Sequence, residues 1–229
     1  MFHALVLLLS FLFFVTSHIL TGSELDAEGV ESPRSRHRNA SVLILVGSLR
    51  RLSSNAGIAR AAAACSPQMV LAPRLDSLPY FDADIESPLP HSVAALRALA
   101  FSADGFWFQT PEYNGATSAV LKNAIDWLSR SGPEGVSPLK GKLYSVASAG
   151  GGGGGSRGQA NIAAVVRDSE MVRVGGLEQE PLAIKLWDGT KRFSAETGDL
   201  EHTGTIERVC ALAHELLQAA SEGAQGFGA

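Results

Sequence analysis

"SVLILVGSLRRLSSNAGIARAAAA", residues 41–64, changes character twice within its length. Its first six residues are apolar without polar alternation and rich in β-branched side chains, which is how a strand covered on both faces reads. Its second half is rich in alanine, and Ser53, Ser54 or Asn55 is available to cap a helix there. Between them lies a turn of Gly, Ser and Arg. A buried strand that turns directly into a helix is half of a parallel crossover unit, so this stretch predicts an α/β protein with a central parallel sheet.

The same alternation continues downstream. "QMVLAP" (68–73) is a weaker strand candidate, followed by a Pro- and Asp-rich loop and an amphipathic "HSVAALRALAFSAD". "DGFWFQT" (104–110) is the third strand, and it runs into "TPEYNGATSAVLKNAIDWLSR" (110–130). There Leu121, Ala124, Ile125 and Leu128 form one apolar helical stripe, with Lys122, Asn123 and Asp126 expected to face away. "GKLYSVAS" (141–148) and "LAIKLW" (182–187) read as the fourth and fifth strands. A helix is expected from about Arg157 to Arg167, and "GTIERVCALAHELLQAA" closes the chain as another. Five strands separated by helical segments predict a flavodoxin-like three-layer sandwich with a five-stranded parallel sheet. In such sheets a ligand sits beyond the carboxyl ends of the strands, where the strand order reverses.

Length and composition set the frame. At 229 residues, 45% hydrophobic and 18% charged, the chain is sized for one domain, expected over residues 41–229, with an N-terminal appendage over 1–40. A net charge of -4 and scattered Lys and Arg argue against a nucleic-acid binder. Cys65 and Cys210 lie far apart and outside any metal or C-x-x-C pattern, so they are expected to be two small buried hydrophobes. The opening "MFHALVLLLSFLFFVTSHIL" is apolar and precedes a polar linker. It resembles a signal peptide, although no positive residues lead it. A retained membrane anchor through residues 2–20, an organelle presequence and a mis-assigned start stay open beside that reading. The compartment is accordingly the secretory pathway or an organelle, with membrane-anchored or cytoplasmic as the alternatives.

Three loops leave strand ends with unusual chemistry. "GSLRRLSSN" (47–55) offers hydroxyls, a helix N-terminus and guanidinium groups, a good cradle for a phosphate monoester. It also reads as an ordinary turn whose serines only cap. "TPEYNG" (110–115) joins a rigid proline, a flat tyrosine and the turn formers Asn114 and Gly115, which suits a planar ring or merely a turn. "SAGGGGGGSR" (148–157) has six successive glycines, which permit close backbone approach to a ligand but equally suit a flexible insertion. No Ser/His/Asp triad or metal cluster is seen, and His91, His202 and His214 fall outside these loops.

Together "GSLRRLSSN", "TPEYNG...LKNAIDWLSR" and "GKLYSVASAGGGGGGSRGQ" resemble the NADPH-dependent FMN reductase family, in particular its chromate- and quinone-reductase branch, from about Ser41 to Ala220. The resemblance implies a non-covalent FMN, with Ser48, Leu49, Arg50, Ser53 and Asn55 around the flavin phosphate. Pro111, Glu112, Tyr113 and Asn114 would line the ribityl chain and ring, and the loop from Ser148 through Gly151 would cover the ring's other side. It further implies NADPH as co-substrate, a quinone-like or other small electron acceptor, and a homodimer or homotetramer. A flavin reductase that releases reduced FMN and a non-catalytic FMN-binding electron-transfer or regulatory protein remain alternatives. The chain departs from the family pattern at Ala116 and at Ser118-Ala119, in its glycine-rich third loop, and in "WDGTKRFSAETGDL" (187–200), where an extra hairpin or loop is expected.

Overall fold

The computed structural model describes residues 40–175 and 182–226; the expected targeting or anchoring segment lies outside them. The elements are β1 (Val42–Val46), α1 (Ser54–Cys65), β2 (Met69–Leu71), α2 (His91–Ser102), β3 (Gly105–Thr110) and α3 (Ala119–Leu128). They continue as β4 (Leu143–Gly150), α4 (Ser156–Val165), β5 (Val172–Arg173), β6 (Leu182–Lys185) and α5 (Thr203–Gly226). All strand pairings in the sheet are parallel, in the order β2-β1-β3-β4-β5, with β6 also on β4. The chain moves outward from β1 to β2 and then returns across to β3, so the strand order reverses between β1 and β3.

The expected fifth strand is β6, and the two-residue β5 ahead of it on the same edge of β4 is an addition to the expected five. β5 pairs with the start of β4 (Leu143 opposite Val172) and β6 with its end (Gly150 opposite Lys185). β6 also stops two residues before the expected limit, because Leu186 turns its N–H onto the carbonyls of Gly150 and Gly151. That bend carries Trp187 off the sheet and onto the rim.

Alternate residues of each strand feed opposite layers. Leu43, Leu45, Phe106, Phe108, Tyr144 and Val146 pack with α2, α3 and α4, whereas Val42, Ile44, Trp107, Ala147 and Ala149 pack with α1 and α5. Both faces of β1 are therefore covered, which is why its sequence carries no polar alternation. Leu121, Ala124, Ile125 and Leu128 are buried as their spacing predicts. Asn123 does not face away as expected. It is buried, accepting from the Phe81 N–H at 2.7 Å and donating to the Pro79 carbonyl at 2.9 Å. The Trp127 indole N–H donates to the same carbonyl, so α3 straps down the loop before α2.

The two cysteines are not separate hydrophobes. Cys65 at the end of α1 and Cys210 in α5 form a disulfide across 145 residues of sequence, with Cα atoms 5.4 Å apart. Nothing in the spacing announces it, because it follows from α1 and α5 sharing one face of the sheet.

Candidate functional site

The first rim loop is organised by the serines that start α1. Ser53 is the N-cap, its Oγ accepting from the Ala56 N–H at 3.3 Å while its hydroxyl donates to Ser48 Oγ at 2.7 Å. Leu49, Arg50 and Arg51 are exposed beyond them, and neither arginine forms an ion pair with a described residue. Two guanidinium groups, a hydroxyl pair and a helix N-terminus at one strand end are what a phosphate needs.

Asn55 stands apart from that surface. It is 5% exposed, its Oδ1 accepts from Gln109 Nε2 and the Ala149 N–H at 2.9 Å each, and its Nδ2 donates to the Ala149 carbonyl at 3.0 Å. The side chain that the resemblance sets beside the phosphate thus spends its amide on β3 and β4, pinning all three strand ends together. Gln109 in turn accepts from the Trp107 indole at 3.0 Å and lends its backbone carbonyl to the Gly47 N–H at 2.8 Å. Gln109 was not legible as a site residue, since a single glutamine in a strand carries no signal.

The second loop is a two-residue hairpin. Tyr113 and Ala116 exchange both backbone hydrogen bonds, at 3.0 and 3.1 Å, and Asn114 and Gly115 between them have φ of 52° and 83°. Both central residues at positive φ is the type I′ arrangement that Asn-Gly favours. It presents Tyr113, 54% exposed, to solvent at the strand end. Pro111 is buried below it. Glu112 turns sideways to α4, where its carboxylate accepts from the Arg157 N–H at 3.0 Å and pairs with the Arg157 guanidinium at 2.6 Å. A carboxylate at a helix N-terminus is favourable there. Gly158 lies so close to this loop that a Cβ would sit 3.1 Å from the Pro111 carbonyl. Ser118, where the family pattern has proline, caps α3 through the Leu121 N–H at 3.4 Å.

The third loop is tight, and four of its six glycines answer to this chain's own atoms. A Cβ on Gly150 would meet the Gly155 nitrogen at 2.9 Å, one on Gly154 the Ala183 backbone at 2.7 Å, and one on Gly155 the Ser148 side chain at 2.8 Å. Gly151 is filled by the Trp187 ring, 2.7 Å from where its Cβ would be. Buried Ser148 holds the loop from beneath, donating to the Gly154 carbonyl at 2.7 Å and accepting from Gln159 Nε2 at 2.8 Å. Gly152 has nothing within 4 Å of its missing Cβ and Gly153 only Ser156 Oγ at 3.8 Å, and both are exposed. The run is thus packed in place at both ends and open at its tip.

The three loops converge on one rim. Asn55 ties the first to β3 and β4, and the Glu112–Arg157 pair ties the second to the third. The Thr117 N–H, bonded to Asn161 Oδ1 at 3.2 Å, adds a second tie to α4. Cationic and hydroxyl groups lie on one side, a flat tyrosine on another, and a side-chain-free backbone at Gly152 and Gly153 on a third. These residues fit a phosphorylated, planar group such as FMN.

A parallel three-layer fold with such a rim at its order reversal defines a flavodoxin-like protein. Residues 40–178 match the NADPH-dependent FMN reductase family, and the chain belongs to that family. It is similar to the probable NADPH:quinone oxidoreductase 1 of Oryza sativa subsp. japonica, 33% identical over 176 residues that cover 73% of this chain and 85% of that protein. It is also similar to the quinone reductase of Escherichia coli K12, 41% identical over 106 residues that cover 44% of this chain and 55% of that protein. That match spans about half the length of the bacterial relative. Among solved structures, FerB, a flavoenzyme NAD(P)H:(acceptor) oxidoreductase from Paracoccus denitrificans, superimposes with a TM-score of 0.67 at 24% identity over 80% of this chain and 98% of that one. The last is a likeness of fold. Family membership makes the chain an NAD(P)H-dependent oxidoreductase with FMN as its cofactor.

Proposed function

We propose that the protein takes two electrons from NADPH and delivers them, through FMN held at the rim, to a quinone or a similar small acceptor. The observation that carries this reading is the convergence of the three rim loops, pinned by Asn55 and by the Glu112–Arg157 pair. When bound, FMN supplies the hydride and electron chemistry, which leaves the protein to bind, orient and shield. Ser48, Ser53 and Arg50 with the N-terminus of α1 would hold the phosphate. Tyr113 and the backbone of Gly151 to Gly153 would border the ring, where amide N–H groups would favour negative charge on it.

A non-catalytic flavin carrier would be favoured if the changes at Ala116 and Ser118-Ala119 disrupted the second loop. The second loop keeps its form without the family's proline, since Ser118 caps α3 and Thr117 bonds Thr110 across 2.8 Å. That favours the catalytic reading. The resemblance supports a homodimer or homotetramer. The Cys65–Cys210 disulfide supports an oxidising compartment, in keeping with an apolar leader that directs the chain to the secretory pathway or an organelle.

Steady-state NADPH oxidation by the FMN-loaded protein, with a naphthoquinone varied at several NADPH concentrations, tests this. Parallel double-reciprocal lines are expected, because donor and acceptor share the pocket in turn. Consumption of NADPH no faster than with free FMN would overturn the proposal.

A further inference from the structure

Trp187 is the most exposed tryptophan of the chain at 83%, whereas Trp107 and Trp127 are fully buried. It follows β6 directly, one residue after Leu186, whose N–H is held by the carbonyls of Gly150 at 2.8 Å and Gly151 at 3.2 Å. Its six-membered ring lies against Gly151, so near that any side chain there would collide with it. Gly151 thus lets the indole lie directly on the loop backbone.

The segment that carries the ring is fixed at several points. Asp188 and Arg192 form a two-pronged ion pair at 2.6 Å, and Arg192 also donates to the Lys185 carbonyl at 3.0 Å. Phe193 and Leu200 form a β-bridge, and Asp199 pairs with Arg60 of α1 at 2.5 Å. Gly198 packs on Leu52, so the segment runs from the third rim loop back to the first. An indole left this bare gains little from folding, yet its backbone is ordered on both sides. Beside it lie the exposed Gly152 and Gly153, a stretch of backbone without side chains. That backbone is the part of the rim read above as bordering the flavin, so the bare indole stands next to where a second flat ring would approach it.

We infer that Trp187 is a specificity-determining residue that forms the outer wall of the acceptor pocket and packs against a planar, quinone-type ring. This rests on the oxidoreductase reading above. The contact is aromatic and apolar, so it acts on acceptors with a flat ring and leaves small inorganic oxidants untouched.

The test compares Trp187→Ala and Trp187→Phe with the wild type, all loaded with FMN. Trp187→Ala is expected to raise KM for a naphthoquinone about 10-fold, the scale of a lost aromatic contact. FMN content and ferricyanide reduction should not change, and Trp187→Phe should restore most of the affinity. An unchanged quinone KM, or equal losses with quinone and ferricyanide, would overturn the inference. A second readout does not need turnover. Because the other two tryptophans are buried, the solvent-exposed emission belongs to Trp187. Saturable quenching of it by the naphthoquinone supports the inference even if NADPH oxidation fails and the proposed function falls; purely collisional, linear quenching overturns it even if turnover is found.

Discussion

Asn55 shows how one amide can decide whether a rim exists. Its side chain bonds Gln109 and both backbone groups of Ala149, 54 and 94 residues away along the chain. Asn55→Ala would leave those buried donors and an acceptor unpaired, at about 1–3 kcal/mol each in part offset by relaxation, for an expected loss of about 3 kcal/mol in denaturant unfolding. The glycines divide in the same local way. Gly154 has φ of +64° and no room before Ala183, so Gly154→Ala should cost about 2–3 kcal/mol. Gly152→Ala should leave stability within about 0.5 kcal/mol, since nothing in the chain crowds it, yet weaken FMN binding from the open side. Thermal unfolding without FMN and a flavin titration separate the two effects. The sequence shows that Asn, Ser and Gly cluster at strand ends, but which of them face a ligand and which face β3, β4 or Trp187 depends on contacts that no local pattern encodes.

Elements carry their own consequences. β1, α3 and the closing helix are legible because burial on two faces or along one stripe leaves a periodic trace. The extra strand β5 and the buried side of Asn123 are not, since they depend on neighbours far along the chain. The disulfide between α1 and α5 belongs with these. It closes a long loop, so the Cys65→Ala/Cys210→Ala double variant should lose about 2–5 kcal/mol of stability, and the protein isolated without reductant should show no free thiol. The segment over 187–200 adds a pH response. Arg192 holds the Asp188 carboxyl well below the usual carboxylate range, and Thr197 and then Arg60 lower that of Asp199. A carboxyl whose folded pKa is lowered contributes above its unfolded value, about 4, and that contribution is lost as pH falls through the depressed value. Trp187 emission should therefore hold steady from neutral pH to about 4 and shift only below it. A shift near pH 6 would contradict these pairings.

At the scale of the molecule, the sheet order sets where chemistry can occur. β1 and β3 part their following chains to opposite layers, and the three unusual loops leave the ends of β1, β3 and the neighbouring β4. The strand-then-loop pattern made this fold readable from residues 41–64 outward. The ties between the loops, through Asn55 and through Glu112 and Arg157, became visible only in three dimensions. This rim is expected to hold one FMN per chain and to let NADPH reduce it. An anaerobic absorbance spectrum of the purified, FMN-reconstituted protein is the test. Near-stoichiometric flavin after gel filtration, bleaching on addition of NADPH, is the result expected; flavin that elutes entirely free of the protein, or bound flavin that NADPH does not bleach, would contradict it.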